Sequence, residues 1–201
     1  MPALGITGGI ATGKSTFVAA LSRYLPGELF DADQCSRDLL AKDLVVRDAV
    51  RTQLGPEAFL ESGEPDRAWL RELVFEHPEK RRVLEQILHP SIRAVWSQRA
   101  RLSAGEKDWF FVDIPLLFES GVQDHFIAVV VVACSPTTQK DRLLSKRHLS
   151  PEISEKIIAS QLDLSTKINQ ADYLIWNDSS TSCLDRQARL FAAGLRNQPA
   201  R

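Results

Sequence analysis

Short uninterrupted apolar runs alternate along the chain with longer stretches in which apolar residues recur every three or four positions. Such runs behave as buried strands and the 3.6-residue rhythm between them as helices, so the pattern predicts an α/β fold with a parallel sheet wrapped by helices. Residues 3–7 form the first expected strand, followed by a helix from 14 to about 25. Residues 27–31, 109–114, 126–133 and 171–176 are the second to fifth strands, giving a five-stranded sheet. The valine-rich run 126–134, nine residues long, is the longest apolar run. It suits a central strand covered on both faces and falls well short of the roughly 20 residues of a membrane-spanning helix.

Between the second and third strands, residues 34–107 are mostly helical by pattern. Turn signals stand at Leu54-Gly55-Pro56 and at Glu61-Ser62-Gly63-Glu64-Pro65. Asp66 fits the N-cap of a helix through Phe75, and Pro78 punctuates the next one. The stretch is too long for an ordinary crossover and reads as a helical insertion serving a second substrate. The expected division is a core of residues 1–33, 108–136 and 169–201, the insertion 34–107, and a lid region 137–168 within one domain. Residues 197–201 are expected to fray.

Composition narrows the class. Hydrophobic residues make up 44% and charged residues 25% of the 201, which fits a folded globular chain and excludes a disordered one. A net charge of −1 exerts no overall pull on nucleic acid or anionic membrane, so neither is an expected partner. The first residues lack the basic segment and small-residue cleavage site of a secretory signal. Cys35, Cys134 and Cys183 form no CxxC pair and read as ordinary thiols, so a cytoplasmic setting is the expectation.

The chemistry enters at Gly8-Gly9-Ile10-Ala11-Thr12-Gly13-Lys14-Ser15, which fits G-x-x-x-x-G-K-[ST]. A chance match in a chain this long is on the order of one in a hundred, and this one follows a strand and opens a helix. Backbone N–H groups of such a loop and of the helix N-terminus hold phosphate oxygens by their dipoles. Lys14 should reach the β- and γ-phosphates, and the Ser15 hydroxyl should ligate Mg²⁺. The loop alone does not say where the γ-phosphate goes. A GTP-dependent switch wants Asp-x-x-Gly, whereas Asp113 is followed by Ile114-Pro115-Leu116. It also wants Asn-Lys-x-Asp after a strand, whereas Asn169-Gln170-Ala171-Asp172 precedes one.

Further candidates surround the loop. Asp31-Ala32-Asp33 follows the second strand, where a carboxylate can face the transferring phosphoryl group. One of the pair could accept or orient an acceptor hydroxyl; an N-cap for a helix starting near Cys35 explains the pair equally well. Asp113, ending the third strand, fits a carboxylate holding a metal-bound water near Ser15, or a cap. Gln139, Arg142 and Lys146 share one helix face at i, i+3 and i+7, as on a lid whose arginine neutralises transition-state charge or on a solvated surface.

Together these segments resemble the dephospho-coenzyme A kinases. The likeness runs through Leu4-Gly5-Ile6-Thr7-Gly8-Gly9-Ile10, Gly13-Lys14-Ser15-Thr16, Asp31-Ala32-Asp33 and Leu84-Glu85-Gln86-Ile87-Leu88-His89-Pro90-Ser91-Ile92-Arg93. It continues through Asp113-Ile114-Pro115-Leu116-Leu117-Phe118-Glu119, Gln139 with Arg142, Gln161, Ala171-Asp172 and Asn177. The resemblance implies a P-loop NTPase fold of the nucleoside-monophosphate-kinase type, a three-layer sandwich with a helical acceptor domain and a mobile lid. It implies phosphorylation of the ribose 3′-hydroxyl of dephospho-CoA by ATP, with Mg²⁺ as cofactor.

On that resemblance Asp33, Lys14 and Arg142 are the catalytic residues. Gly9, Ala11, Thr12, Gly13, Lys14, Ser15, Thr16, Arg142 and Asn177 bind ATP, and Asp33, His89, Arg93, Leu116, Leu117 and Glu119 bind the acceptor. Ser15 holds the metal, with Asp113 reaching it through water. His89-Pro90 also reads as a helix break with proline in the first turn of the next helix. Two departures stand out. Ala11 replaces a glycine common in the family, which matters only if that position needs a positive φ; since Gly13 is retained, ATP binding is expected to survive. Lys146 stands where a second lid arginine is usual, with Arg147 beside it, and lysine lacks the bidentate fork. A kinase for another small acceptor and a nucleotide-dependent switch are the rival readings. The expected assembly is a monomer or weak homo-oligomer.

Overall fold

In a computed structural model, residues 3–102, 109–147 and 149–196 are described. The strands are β1 (Ala3–Gly8), β2 (Gly27–Asp31), β3 (Trp109–Asp113), β4 (Ala128–Ala133) and β5 (Tyr173–Trp176). The helices are α1 (Lys14–Leu21), α2 (Ala32–Lys42), α3 (Leu44–Leu54), α4 (Arg67–Glu76), α5 (Pro78–Leu102), α6 (Pro136–Arg147), α7 (Pro151–Ala159), α8 (Leu164–Gln170) and α9 (Thr181–Arg196). The five strands form one parallel sheet in the order β2-β3-β1-β4-β5. Register brings Ile6 opposite Asp113 on one side and Val130 on the other, so the ends of β1 and β3 emerge together.

The chain divides into two compact units, Met1–Phe30 with Ser103–Arg201, and Asp31–Leu102. In the first, alternate residues of the strands serve opposite faces of the sheet. Leu4, Ile6, Val130 and Val132 pack with Phe17 and Leu21 of α1 and with Leu184, Ala188 and Leu195 of α9. Val129, Val131 and Ala133 face the other way, onto Leu117, Phe118 and the α8 side chains Leu164 and Ile168. Helical cover on both faces explains why β4 is a run of valines rather than an alternating strand.

The second unit is helical and punctuated by local caps. Asp43 accepts from the Val46 N–H at the start of α3, and Asp66 accepts from the Ala68 and Trp69 N–H groups at the start of α4. Gly55 and Gly63 take φ values of 124° and 84° at the two expected turns. Val46, Val50, Leu54, Leu70 and Leu88 make its core, with Trp69 packed against them, and Trp96 is buried.

Several boundaries differ from the sequence expectation. The strand expected from 126 begins at Ala128, because Gln123–His125 forms a turn of 3-10 helix and the Phe126 ring packs over Gly5. The strand expected from 171 begins at Tyr173, where the Asp172 carboxylate accepts from the Val129 N–H at 2.7 Å. The helix expected near Cys35 begins at Ala32, because Asp31 caps it. The break expected at His89-Pro90 does not occur: α5 runs through Pro90. Proline forfeits one backbone bond there, and burial of Leu88 before it and Trp96 after it holds both halves in one helix. The end of the expected insertion, 103–107, and the tail 197–201 lie outside the described residues. All three cysteines are free thiols, and no helix among the described residues is long and apolar enough to cross a membrane.

Candidate active site

β1 ends at Gly8 and α1 begins at Lys14, leaving the loop between them to turn back on itself. A Cβ at Gly8 would strike the Val132 carbonyl, and one at Gly13 would strike the Asn177 amide. Gly13 adopts φ 94°, as the helix entry requires. Ala11 adopts φ 59°, alone in the left-handed region among the described residues that are not glycine. The condition under which alanine is costly is therefore met here, at about 1–2 kcal/mol for an L-residue.

Side chains from distant segments hold the loop. The Gln139 amide donates to the Ile10 carbonyl at 2.8 Å, and the Ile10 N–H donates to the Gln161 side-chain oxygen at 3.0 Å. The Thr12 carbonyl accepts from Asn177 at 2.8 Å and from Arg142 at 3.1 Å. Arg142 also donates to the Asn177 carbonyl at 2.8 Å. The Thr12 hydroxyl closes the loop internally on the Gly9 carbonyl at 2.9 Å. With its carbonyls tied back this way, the loop is a preorganised anion cradle at a helix N-terminus.

Lys14 and Asp113 form an ion pair at the joint exit of β1 and β3, each side chain 14% exposed. Ser15 and Thr16 are exposed on the first turn of α1. A hydroxyl and a carboxylate on adjoining elements are the hard oxygen donors that Mg²⁺ favours. Among the described residues, no group of three or more His, Cys, Asp or Glu side chains gathers into a cage of its own. Lys146 and Arg147 are exposed in the last turn of α6.

The segment after β3 is fixed just as firmly. The Thr7 hydroxyl donates to the Pro115 carbonyl at 3.0 Å. Leu117 is fully buried in the core, whereas Leu116 is half-buried. Glu119 pairs with Lys167 at 2.7 Å and accepts from the Leu162 N–H at 2.9 Å. Lys167 was not among the expected site residues. Its signal lies in spacing: Leu164, Lys167, Ile168 and Ala171 fall at i, i+3, i+4 and i+7, which sets a lysine on the apolar stripe of α8.

In the helical unit, Asp31 takes the capping role, accepting from the Gln34 N–H at 2.8 Å. Asp33 stands exposed in the first turn of α2. His89 and Arg93 lie four residues apart on one face of α5. Burial pushes the His89 imidazole below its ordinary pKa of 6.5, with Glu85 opposing the shift.

Comparison with known proteins adds to this geometry. A sequence model of the family described as dephospho-CoA kinase matches residues 3–182. A dephospho-CoA kinase of Staphylococcus epidermidis is 38% identical over 174 residues, 87% of this chain and 85% of its own. A crystal structure from Thermus thermophilus superposes with a TM-score of 0.80 at 30% identity, covering 98% of each chain. The dephospho-CoA kinase of Campylobacter jejuni superposes at 0.71 with 27% identity, covering 96% of each.

Proposed function

The chain belongs to the dephospho-CoA kinase family, and from that premise we infer that it transfers the γ-phosphoryl group of ATP to the 3′-hydroxyl of dephospho-CoA, giving CoA and ADP. The observation that carries the reading is the braced phosphate loop, with Lys14 paired to Asp113 at its mouth. Loop N–H groups between Gly9 and Thr16, other than those of Ile10 and Thr12 that Gln161 and the Gly9 carbonyl take, hold the β- and γ-phosphates together with the Lys14 ammonium. Ser15, and Asp113 through a water, would hold Mg²⁺, which would supply charge neutralisation on the phosphate oxygens. Asn177 lies against the loop on the nucleotide side, and Arg142 stabilises charge that spreads in the transition state. Arg142 is half-buried against the loop carbonyls in this structure, so it acts first by shaping the cradle.

The helical unit supplies the acceptor's side of the reaction. With capping assigned to Asp31, the Asp33 carboxylate serves as the group that orients the 3′-hydroxyl and accepts its proton. His89 and Arg93 bind the acceptor, with Arg93 suited to its phosphates. Leu116 and Glu119 shape the acceptor side beside β3, backed by Leu117 from beneath. In-line transfer then proceeds without a phosphoenzyme.

The test is ADP release from ATP and Mg²⁺ with dephospho-CoA, adenosine or AMP as acceptor. Release that depends on dephospho-CoA is the expected result. Release with adenosine or AMP alone would assign another acceptor, and slow acceptor-independent hydrolysis with a preference for GTP would revive the switch reading.

A further inference from the structure

Lys167 is a fully buried lysine, and the mechanism above gives it no task. Its ammonium meets Glu119 at 2.7 Å and the Pro115 carbonyl at 3.3 Å. The Glu119 oxygen that pairs with it also accepts from the Leu162 N–H. The residue before Leu162 is Gln161, whose side-chain oxygen takes the Ile10 N–H of the phosphate loop. A continuous path thus runs from Lys167 through Glu119 to the backbone at 161–162, and from there to the loop.

The geometry points to Lys167 as a positioning residue for nucleotide binding, acting through Glu119 and Gln161 on the peptide between Gly9 and Ile10. Ile10 directly precedes Ala11, whose left-handed conformation persists only where its surroundings over-determine it. Gln139 fixes the carbonyl of Ile10 and Gln161 its N–H, so both polar groups of the residue before Ala11 are held from outside the loop. Glu119 in turn serves the nucleotide side as well as the acceptor side. A buried ammonium needs a partner, and here the partner is shared with the backbone that carries Gln161.

The inference rests on the reading of residues 8–15 as a nucleotide site and not on the identity of the acceptor. The experiment is a double-mutant cycle between Lys167→Met and Gln161→Ala, read as affinity for a fluorescent ATP analogue with Mg²⁺. Lysine is the side of the pair to replace, since Glu119 is 22% exposed and tolerates losing its partner, whereas Lys167 does not. Each single variant should bind the analogue about tenfold more weakly, the value of one charge-assisted or strained-loop hydrogen bond. The double variant should bind no more weakly than the worse single. In turnover, both single variants should raise KM for ATP, and Gln161→Ala, which leaves the Lys167–Glu119 pair in place, should do so while KM for dephospho-CoA holds. A folded Lys167→Met that binds like the parent would overturn the proposal, as would single effects that multiply in the double variant. If Lys167→Met does not fold, Lys167→Met with Glu119→Gln strands neither charge and enters the same cycle. Parent protein that binds the analogue but ignores dephospho-CoA would contradict the acceptor alone; parent protein that binds no analogue would remove the nucleotide site and this inference with it.

Discussion

The phosphate loop of one unit and the helices of the other hold their polar groups in opposite ways. In the nucleotide unit the loop backbone is fixed by side chains far away in sequence: Gln139 lies 129 residues from Ile10 and Asn177 lies 165 from Thr12. In the helical unit the caps are local, as Asp31, Asp43 and Asp66 each bind an N–H three residues on. The difference teaches where substitutions register. A change among the loop's braces disturbs a backbone whose conformation is imposed by the fold. A change at Asp33 or Arg93, both exposed on helices whose caps are local, is expected to register first in the acceptor chemistry proposed for them.

The largest effect expected from this contrast belongs to the helical unit. Asp33→Asn should lower kcat about a thousandfold, the middle of the range for a lost general base, while ATP-analogue affinity stays at the parent value. Near-normal turnover would remove Asp33 from the mechanism. Arg142→Ala comes next, with a loss in kcat/KM of about a hundredfold. Unlike the first variant, it should also weaken nucleotide binding, because its guanidinium holds the Thr12 and Asn177 carbonyls. A kcat effect with unaltered nucleotide affinity would leave it a transition-state group and no brace.

Smaller effects separate local from imposed order. Asp66→Ala should cost about 1 kcal/mol of stability by the loss of one N-cap, measured by urea denaturation, with both KM values unchanged. Ala11→Gly should raise stability by about 0.5 kcal/mol, the relief of left-handed strain less the greater freedom of glycine when unfolded. A destabilised Ala11→Gly would mean that the alanine methyl is held in useful contact. The smallest effect is a pH dependence. His89 is pushed below 6.5 by burial, so the folded state favours its neutral form. Its contribution is whole above that pH and declines as pH falls through the lower folded value. His89→Gln should flatten the fall in melting temperature between pH 7 and pH 5.

Much of the nucleotide unit was legible because its signals are contiguous. The strand, the glycine-rich loop and Lys14 lie in one stretch, and the valine run of β4 announces a strand covered on both faces. The parallel sheet followed from those runs. Other features depend on what distant residues do. Nothing near Ala11 says that its φ is positive; that follows from the Gln139, Gln161 and Asn177 bonds that close around the loop. Pro90 looked like a boundary because proline's local preference is to start a helix, and burial of Leu88 and Trp96 on either side outweighed it. Asp31 and Asp33 were equivalent as a pair of carboxylates two apart, until the helix start at Ala32 assigned the cap to the first. Lys167 was missed although its place on an apolar stripe marked it, since a charged residue in a helix defaults to a solvated reading.

The central claim is that the γ-phosphoryl group passes from ATP to one hydroxyl of the acceptor. Single-turnover reaction with γ-labelled ATP, Mg²⁺ and dephospho-CoA, with the products separated and identified by mass and phosphorus resonance, tests it most directly. Label recovered as the 3′-phosphate of CoA is the predicted result. Label recovered as inorganic phosphate, or on a different hydroxyl, would contradict it.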